Sequence, residues 1–193
     1  MNGTVGGEDA MQTAIWSCGC GAVAATVPVE GSRLVCYCES CRGFVERLGA
    51  EDRLDDAGGN HLIQVTPSQV TLIKGSEKIR WMKMSQKGPM RWYAACCNTP
   101  MANTLSTRAV AFASFQTHDI APQDALPEVS ARVHLKGALA HVEGPRGGVG
   151  PLMRALLGRT LKSWVSGTWR RHPFFDAAGH PIAAQEEPAS STG

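Results

Sequence analysis

Leu34-Val35-Cys36-Tyr37-Cys38-Glu39-Ser40-Cys41-Arg42 places three cysteines within six positions, spaced Cys-x-Cys-x-x-Cys. Thiolate is the soft ligand that zinc prefers, with sulfur about 2.3 Å from the metal. A tight turn brings all three sulfurs to one ion. Three protein ligands leave a fourth tetrahedral position open, the usual construction of a catalytic zinc site. Three ordinary buried cysteines would explain this stretch in isolation. They do not explain the four others, which fall in Cys18-Gly19-Cys20-Gly21 and Cys96-Cys97-Asn98-Thr99-Pro100. An odd total of seven argues against a complete disulfide framework. The clustering argues for metal in a reducing compartment, so a cytoplasmic protein is expected.

A chain of 193 residues suits one domain, or one domain with an appendage, and can bury a core without disulfides. Its net charge of +2 gives no support for nucleic-acid or membrane binding. The apolar stretch from Ala22 to Val29 is too short to span a bilayer. It does not read as a signal peptide either, because no basic residue precedes it and Cys18 and Cys20 interrupt the run.

Residues 1–12 are Gly-rich and polar and are expected to be mobile. Thr13 to Ser17 and Val23 to Val27 read as a hairpin with a Cys-x-Cys tip. Arg33 to Tyr37 is a strand that delivers the central turn, and Glu39 to Leu48 a short helix with Phe44, Val45 and Leu48 inward. Strands are expected at His61 to Val65, Val70 to Lys74, Ile79 to Met84 and Met90 to Ala95, with turns at Thr66-Pro67-Ser68, Lys74-Gly75-Ser76 and Gln86-Lys87-Gly88-Pro89. Cys96 to Pro100 ends that run, Ala109 to Phe115 is another strand, and Val129 to Val142 holds one more strand or irregular structure. The rhythm is mainly β and antiparallel over 13–142. A C-terminal helical extension occupies 143–182, and a disordered tail 183–193. In the extension, Pro151 to Trp169 carries an apolar stripe of Leu152, Leu156, Leu161, Trp164, Val165 and Thr168, expected to pack on the sheet.

The order Cys18-Gly19-Cys20-Gly21, Cys36-Tyr37-Cys38-Glu39-Ser40-Cys41-Arg42 and Arg91-Trp92-Tyr93-Ala94-Ala95-Cys96-Cys97-Asn98-Thr99-Pro100 resembles the glutathione-dependent formaldehyde-activating enzyme family. Centromere protein V carries a similar domain. The resemblance spans about Trp16 to Phe115, and Ser85, Gly88 and Arg91 also fit it. It implies a tent of antiparallel sheets, a β-tent, with two zinc ions between loops. Carried over, Cys36, Cys38 and Cys41 hold a labile, catalytic-type ion, and Cys18, Cys20 and Cys97 belong to a structural one. The implied reaction joins glutathione to formaldehyde or breaks that carbon–sulfur bond. The family's last motif, Cys-x-x-Cys-Gly-Ser/Thr-Pro, is altered here: Ala94 stands at the first cysteine, Asn98 replaces the glycine, and Cys96 is extra. Either Cys96 supplies the missing thiolate, which is the favoured reading, or the structural site has lost a ligand.

Two functions are carried forward. One is a zinc-dependent carbon–sulfur lyase acting on glutathione or another small-thiol adduct. The other is a noncatalytic zinc-stabilised binding or scaffold domain. Arg42, beside the central turn, pairs with a substrate carboxylate or makes a surface salt bridge. Glu39 reads as a solvated residue ahead of an acid or base. His61 and His118 lack ligand spacing to any cysteine and read as structural, and Trp81, Trp92 and Tyr93 read as core or pocket wall.

Overall fold

Alternating burial sets the first strand. β1 (Thr13–Ser17) buries Ala14 and Trp16 and turns Thr13 and Ile15 outward, the period of two that a half-buried strand requires. The computed structural model describes residues 12–144 and 148–186. β2 (Ala24–Pro28) returns beside β1, and β3 (Ser32–Cys36) leads into the helix α1 (Glu39–Arg47). Then come β4 (Asn60–Val65), β5 (Thr71–Lys74), β6 (Ile79–Met82), β7 (Met90–Ala94) and β8 (Thr99–Thr104). β9 (Ala113–Gln116), β10 (Ile120–Ala121) and β11 (Ala131–Val133) precede the C-terminal helix α2 (Val149–Val165). No helix among the described residues is long and apolar enough to cross a membrane.

The strands form two sheets, ordered β10-β1-β2-β5 and β11-β3-β4-β9-β8-β7-β6. One core draws side chains from both, including Trp16, Val27, Ile63, Trp92, Met101 and Phe115. Pairing is antiparallel except that β11 lies parallel to β3, aligning Val133 with Cys36. A parallel neighbour needs a long crossover, and the 94 residues from Tyr37 to Ser130 provide it.

Three expectations need correction. The β run does not end at Pro100, because Thr99–Thr104 forms the wholly buried strand β8. Pro100 is accommodated beside a bulge: Tyr93 faces Pro100 and Trp92 faces Ala102, which leaves Met101 as the extra residue. The stripe on α2 is split. Leu152 is buried, whereas Leu161, Trp164 and Val165 are 62%, 57% and 83% exposed, because the inward face runs through Leu152, Leu156, Arg159 and Ser163 instead. Part of the expected tail is ordered. Ala183–Glu186 lies along β6, where Trp81 N–H donates to Ala184 O, Glu186 N–H donates to Trp81 O, and the Trp81 indole donates to Ala183 O at 3.0 Å. The expected mobile segment falls almost wholly outside the described residues, as does the tail beyond 186.

The C-terminal extension completes the core. Phe174 is fully buried and stacks on Trp92 with ring centroids 4.6 Å apart. His172 lies against Phe175 at 4.8 Å, its Nδ1 accepts the Phe174 N–H at 3.2 Å, and its buried Nε2 has no partner among the described residues. Burial, with the Arg108 charge second, lowers the imidazole to about 4. The folded value lies below the ordinary 6.5, so this residue's contribution is complete above that pH. It is lost as pH falls toward 4, because the unfolded chain takes up the proton first. The loss is about 3 kcal/mol. His172→Asn keeps an acceptor for Phe174 and removes the titration. Thermal melts from neutral pH down to the lowered value should show the variant losing less stability than the wild type. A difference that is constant with pH would refute this assignment.

Candidate metal centre

Two cysteine groups form in the structure. Cys18, Cys20, Cys96 and Cys97 make one, and Cys36, Cys38 and Cys41 the other; within each group all sulfurs lie within 4.8 Å of one another. Both could hold a metal ion. Tetrahedral sulfurs about 2.3 Å from an ion lie about 3.8 Å apart. In the first group Cys18–Cys20 is 3.6 Å, Cys18–Cys96 3.8 Å, Cys20–Cys96 3.4 Å and Cys96–Cys97 3.9 Å. The donor set and its spacing fit such an ion, and Cys96 stands where Ala94 offers no ligand.

The first group joins the β1–β2 turn to the β7–β8 turn. Val23 N–H donates to Cys18 Sγ at 3.2 Å, and Gly19 N–H donates to Thr99 Oγ1 at 3.0 Å. The same hydroxyl lies 3.1 Å from Cys97 Sγ. Asn98 has φ 52°, the left-handed conformation that favours glycine and that Asn tolerates better than most side chains. Burial raises Cys18 and Cys96. Burial also works to raise Cys97, but the Thr99 hydroxyl, the Cys20 N–H and the neighbouring thiols outweigh it and lower Cys97 to about 7.

The second group forms where β3 meets α1. Cys36 ends the strand, Cys38 caps the helix and Cys41 sits in its first turn, with Cys36 and Cys38 sulfurs 3.3 Å apart. Bonds from the Cys36 and Cys41 thiols lower Cys38 to about 2, assisted by the Cys41 backbone N–H and the Arg91 charge, while the bond to Cys38 raises Cys36. Tyr37 between the ligands is anchored from below. Its hydroxyl donates to Asp55 Oδ2 at 2.9 Å, and Asp55 Oδ1 accepts the Ala57 and Gly59 N–H groups at 3.0 and 2.7 Å. Gly137 packs on the same turn so closely that a methyl group there would lie 2.3 Å from Tyr37 O.

A cavity of about 390 Å³ opens on this second group. Cys36, Cys38 and Cys41 line one part of it; Leu105, Phe112 and the α2 residues Leu152, Met153 and Leu156 line much of the rest. Arg91 on β7 lines it too, although only 3% exposed. Its Nη1 donates to Asn103 Oδ1 at 2.9 Å and approaches Cys41 Sγ at 3.5 Å, its Nη2 donates to Ser40 Oγ at 2.8 Å, and its Nε has no acceptor among the described residues.

Arg42, expected to bind substrate, turns away from this cavity. It donates to Gly137 O at 2.8 Å and pairs with Glu46 at 3.5 Å, tying α1 to the loop after β11. The guanidinium at the cavity is that of Arg91. Glu39 is exposed in the first turn of α1, where its charge suits the helix dipole. His61 pairs with Asp55 at 3.4 Å and His118 with Asp119 at 3.7 Å; neither joins a cysteine group. Sequence reasoning gave no role to Arg91, Asn103, Asp55 or His134, which also lines the cavity. An arginine inside the apolar run Met90-Arg91-Trp92-Tyr93-Ala94 was the available signal, since a charge in a buried strand requires a partner.

Fold and site together define a mainly β protein with two cysteine groups that could each hold a metal ion, one of them bordering a cavity. The chain belongs to the family described as a family of unknown function, DUF6151, whose model matches residues 11–185. No curated protein matches it. The matched span includes α2, Phe174, Phe175 and most of the segment along β6.

Cys96→Ser should remove about one bound metal ion per chain and lower the melting temperature, because metal binding is coupled to folding. Metal analysis of protein purified under reducing conditions measures this. Full metal content with an unchanged melt would mean that Cys96 is not a ligand.

Proposed function

We propose that this protein is a zinc-dependent enzyme that makes or breaks the carbon–sulfur bond of a small-thiol adduct. The observation that carries the reading is the position of Cys36, Cys38 and Cys41 on a cavity wall, with three sulfurs rather than four. The two-sheet fold with cysteines in its loops supports the β-tent that the resemblance implies, and glutathione is the thiol it suggests. Zinc fits both cysteine groups by donor type and spacing.

Cys18, Cys20, Cys96 and Cys97 would hold the structural ion, and Cys36, Cys38 and Cys41 the second. At that position zinc would supply a Lewis acid with one site free for an adduct atom. Arg91 offsets the excess negative charge of three thiolates, and Ser40 and Asn103 fix its orientation. Leu152 and Leu156 exclude water from the roof. His134 is the imidazole on the wall that can move a proton. When a hemithioacetal breaks, its hydroxyl proton goes to His134 and returns to the departing sulfur. The carbon–sulfur bond cleaves, the oxygen becomes a carbonyl, and the products are a thiol and an aldehyde with no net oxidation.

A noncatalytic scaffold is the second reading. It is favoured by the packing of Leu152 with Cys36 and Cys41 in one apolar cluster, which brings α2 over the site.

Cys38→Ser should abolish hemithioacetal turnover and remove the second zinc while leaving the first group and the fold in place. His134→Gln should keep both ions and lower kcat by about a hundredfold. Turnover followed by aldehyde release, together with zinc content, separates the readings. A protein loaded with both ions that accelerates no hemithioacetal is the scaffold.

A further inference from the structure

The cavity beside the second cysteine group also bears on which thiol it takes. Its surface is mostly apolar, with Leu34, Leu62, Leu105, Phe112, Val133 and Leu152 contributing to the wall. Arg91 is its one permanent cation, and no Asp, Glu or Lys is among the described residues that line it. Glutathione carries two carboxylates and an ammonium. Arg91, on the cavity wall, can pair with one carboxylate. The second carboxylate and the ammonium would find no opposite charge on the wall, and desolvating unpaired charges is strongly unfavourable. An apolar chain, by contrast, gains from contact with the leucines and Phe112. The volume of about 390 Å³ lies within the range of small-molecule sites.

We propose that the thiol served by this site has an apolar body and at most one acidic group, and is not glutathione. The inference rests on the reading of the three-cysteine group as a thiol-adduct site. The sulfur lies at the cysteines, a single carboxylate reaches Arg91, and the chain runs along the wall toward Met153 and Leu156.

The test is calorimetric titration of the zinc-loaded full chain with glutathione, mercaptohexanoate and mercaptohexanol under reducing conditions. Mercaptohexanoate should bind at least about tenfold tighter than glutathione. Arg91→Met should abolish the preference for mercaptohexanoate over mercaptohexanol. If that variant does not fold, the wild-type comparison decides alone. Glutathione binding as tightly as mercaptohexanoate, or more tightly, overturns the proposed class and leaves the thiol-adduct reading standing. No heat from any thiol, with both zinc ions present, overturns both.

Discussion

Sulfur crowding is the constraint on which the rest of this structure depends. Cysteine thiols approach one another to 3.3–3.9 Å in two places. Several thiolates at that distance repel, and thiols there must share protons in a definite order. In the second group the Cys36 thiol donates to Cys38, which pushes Cys36 up and Cys38 down. A bound cation would remove the conflict, and each cysteine-bearing turn is braced in a way that serves such an ion. Thr99 bonds to both halves of the first group, and Asp55 and Gly137 hold Tyr37 between the ligands of the second.

Different physics governs the two groups. Cys20 and Cys96 are exposed on turns, so their geometry depends on the backbone of two hairpins. Cys36 and Cys41 are buried, and their surroundings are apolar apart from Arg91 and its partners. A guanidinium buried among leucines is costly unless negative charge lies nearby. The thiolate cluster provides that charge, so Arg91 and the three cysteines stabilise each other.

Much of this was legible in the chain. Spacing marked Cys36, Cys38 and Cys41, because those turn ligands are local in sequence, whereas the grouping of Cys18 and Cys20 with Cys96 and Cys97 was implied by the family resemblance. Short alternating runs, also local, marked β1, β2, β3 and β4. What escaped was non-local. β8 was hidden by Pro100, whose tolerance depends on a bulge opposite Tyr93 that only pairing reveals. Arg42 lay near the right turn but on the wrong side of α1, whereas Arg91 reached the cavity from 50 residues away. The stripe on α2 was visible, yet two apolar faces compete on that helix, and propensity does not say which one the sheet will cover.

The stack of Phe174 on Trp92 has a consequence for the order in which the protein is built. Both sheets and both cysteine groups are encoded before residue 134, but the core between the sheets lacks its last aromatic fill until Phe174 and Phe175 have been synthesised. Until then the Trp92 face stays open, and the β6 edge awaits the 183–186 segment. Partly filled cores with open edges are the species most prone to associate wrongly. A cation captured by the early turns would hold the strands in register through that interval and act as a clamp on the growing chain.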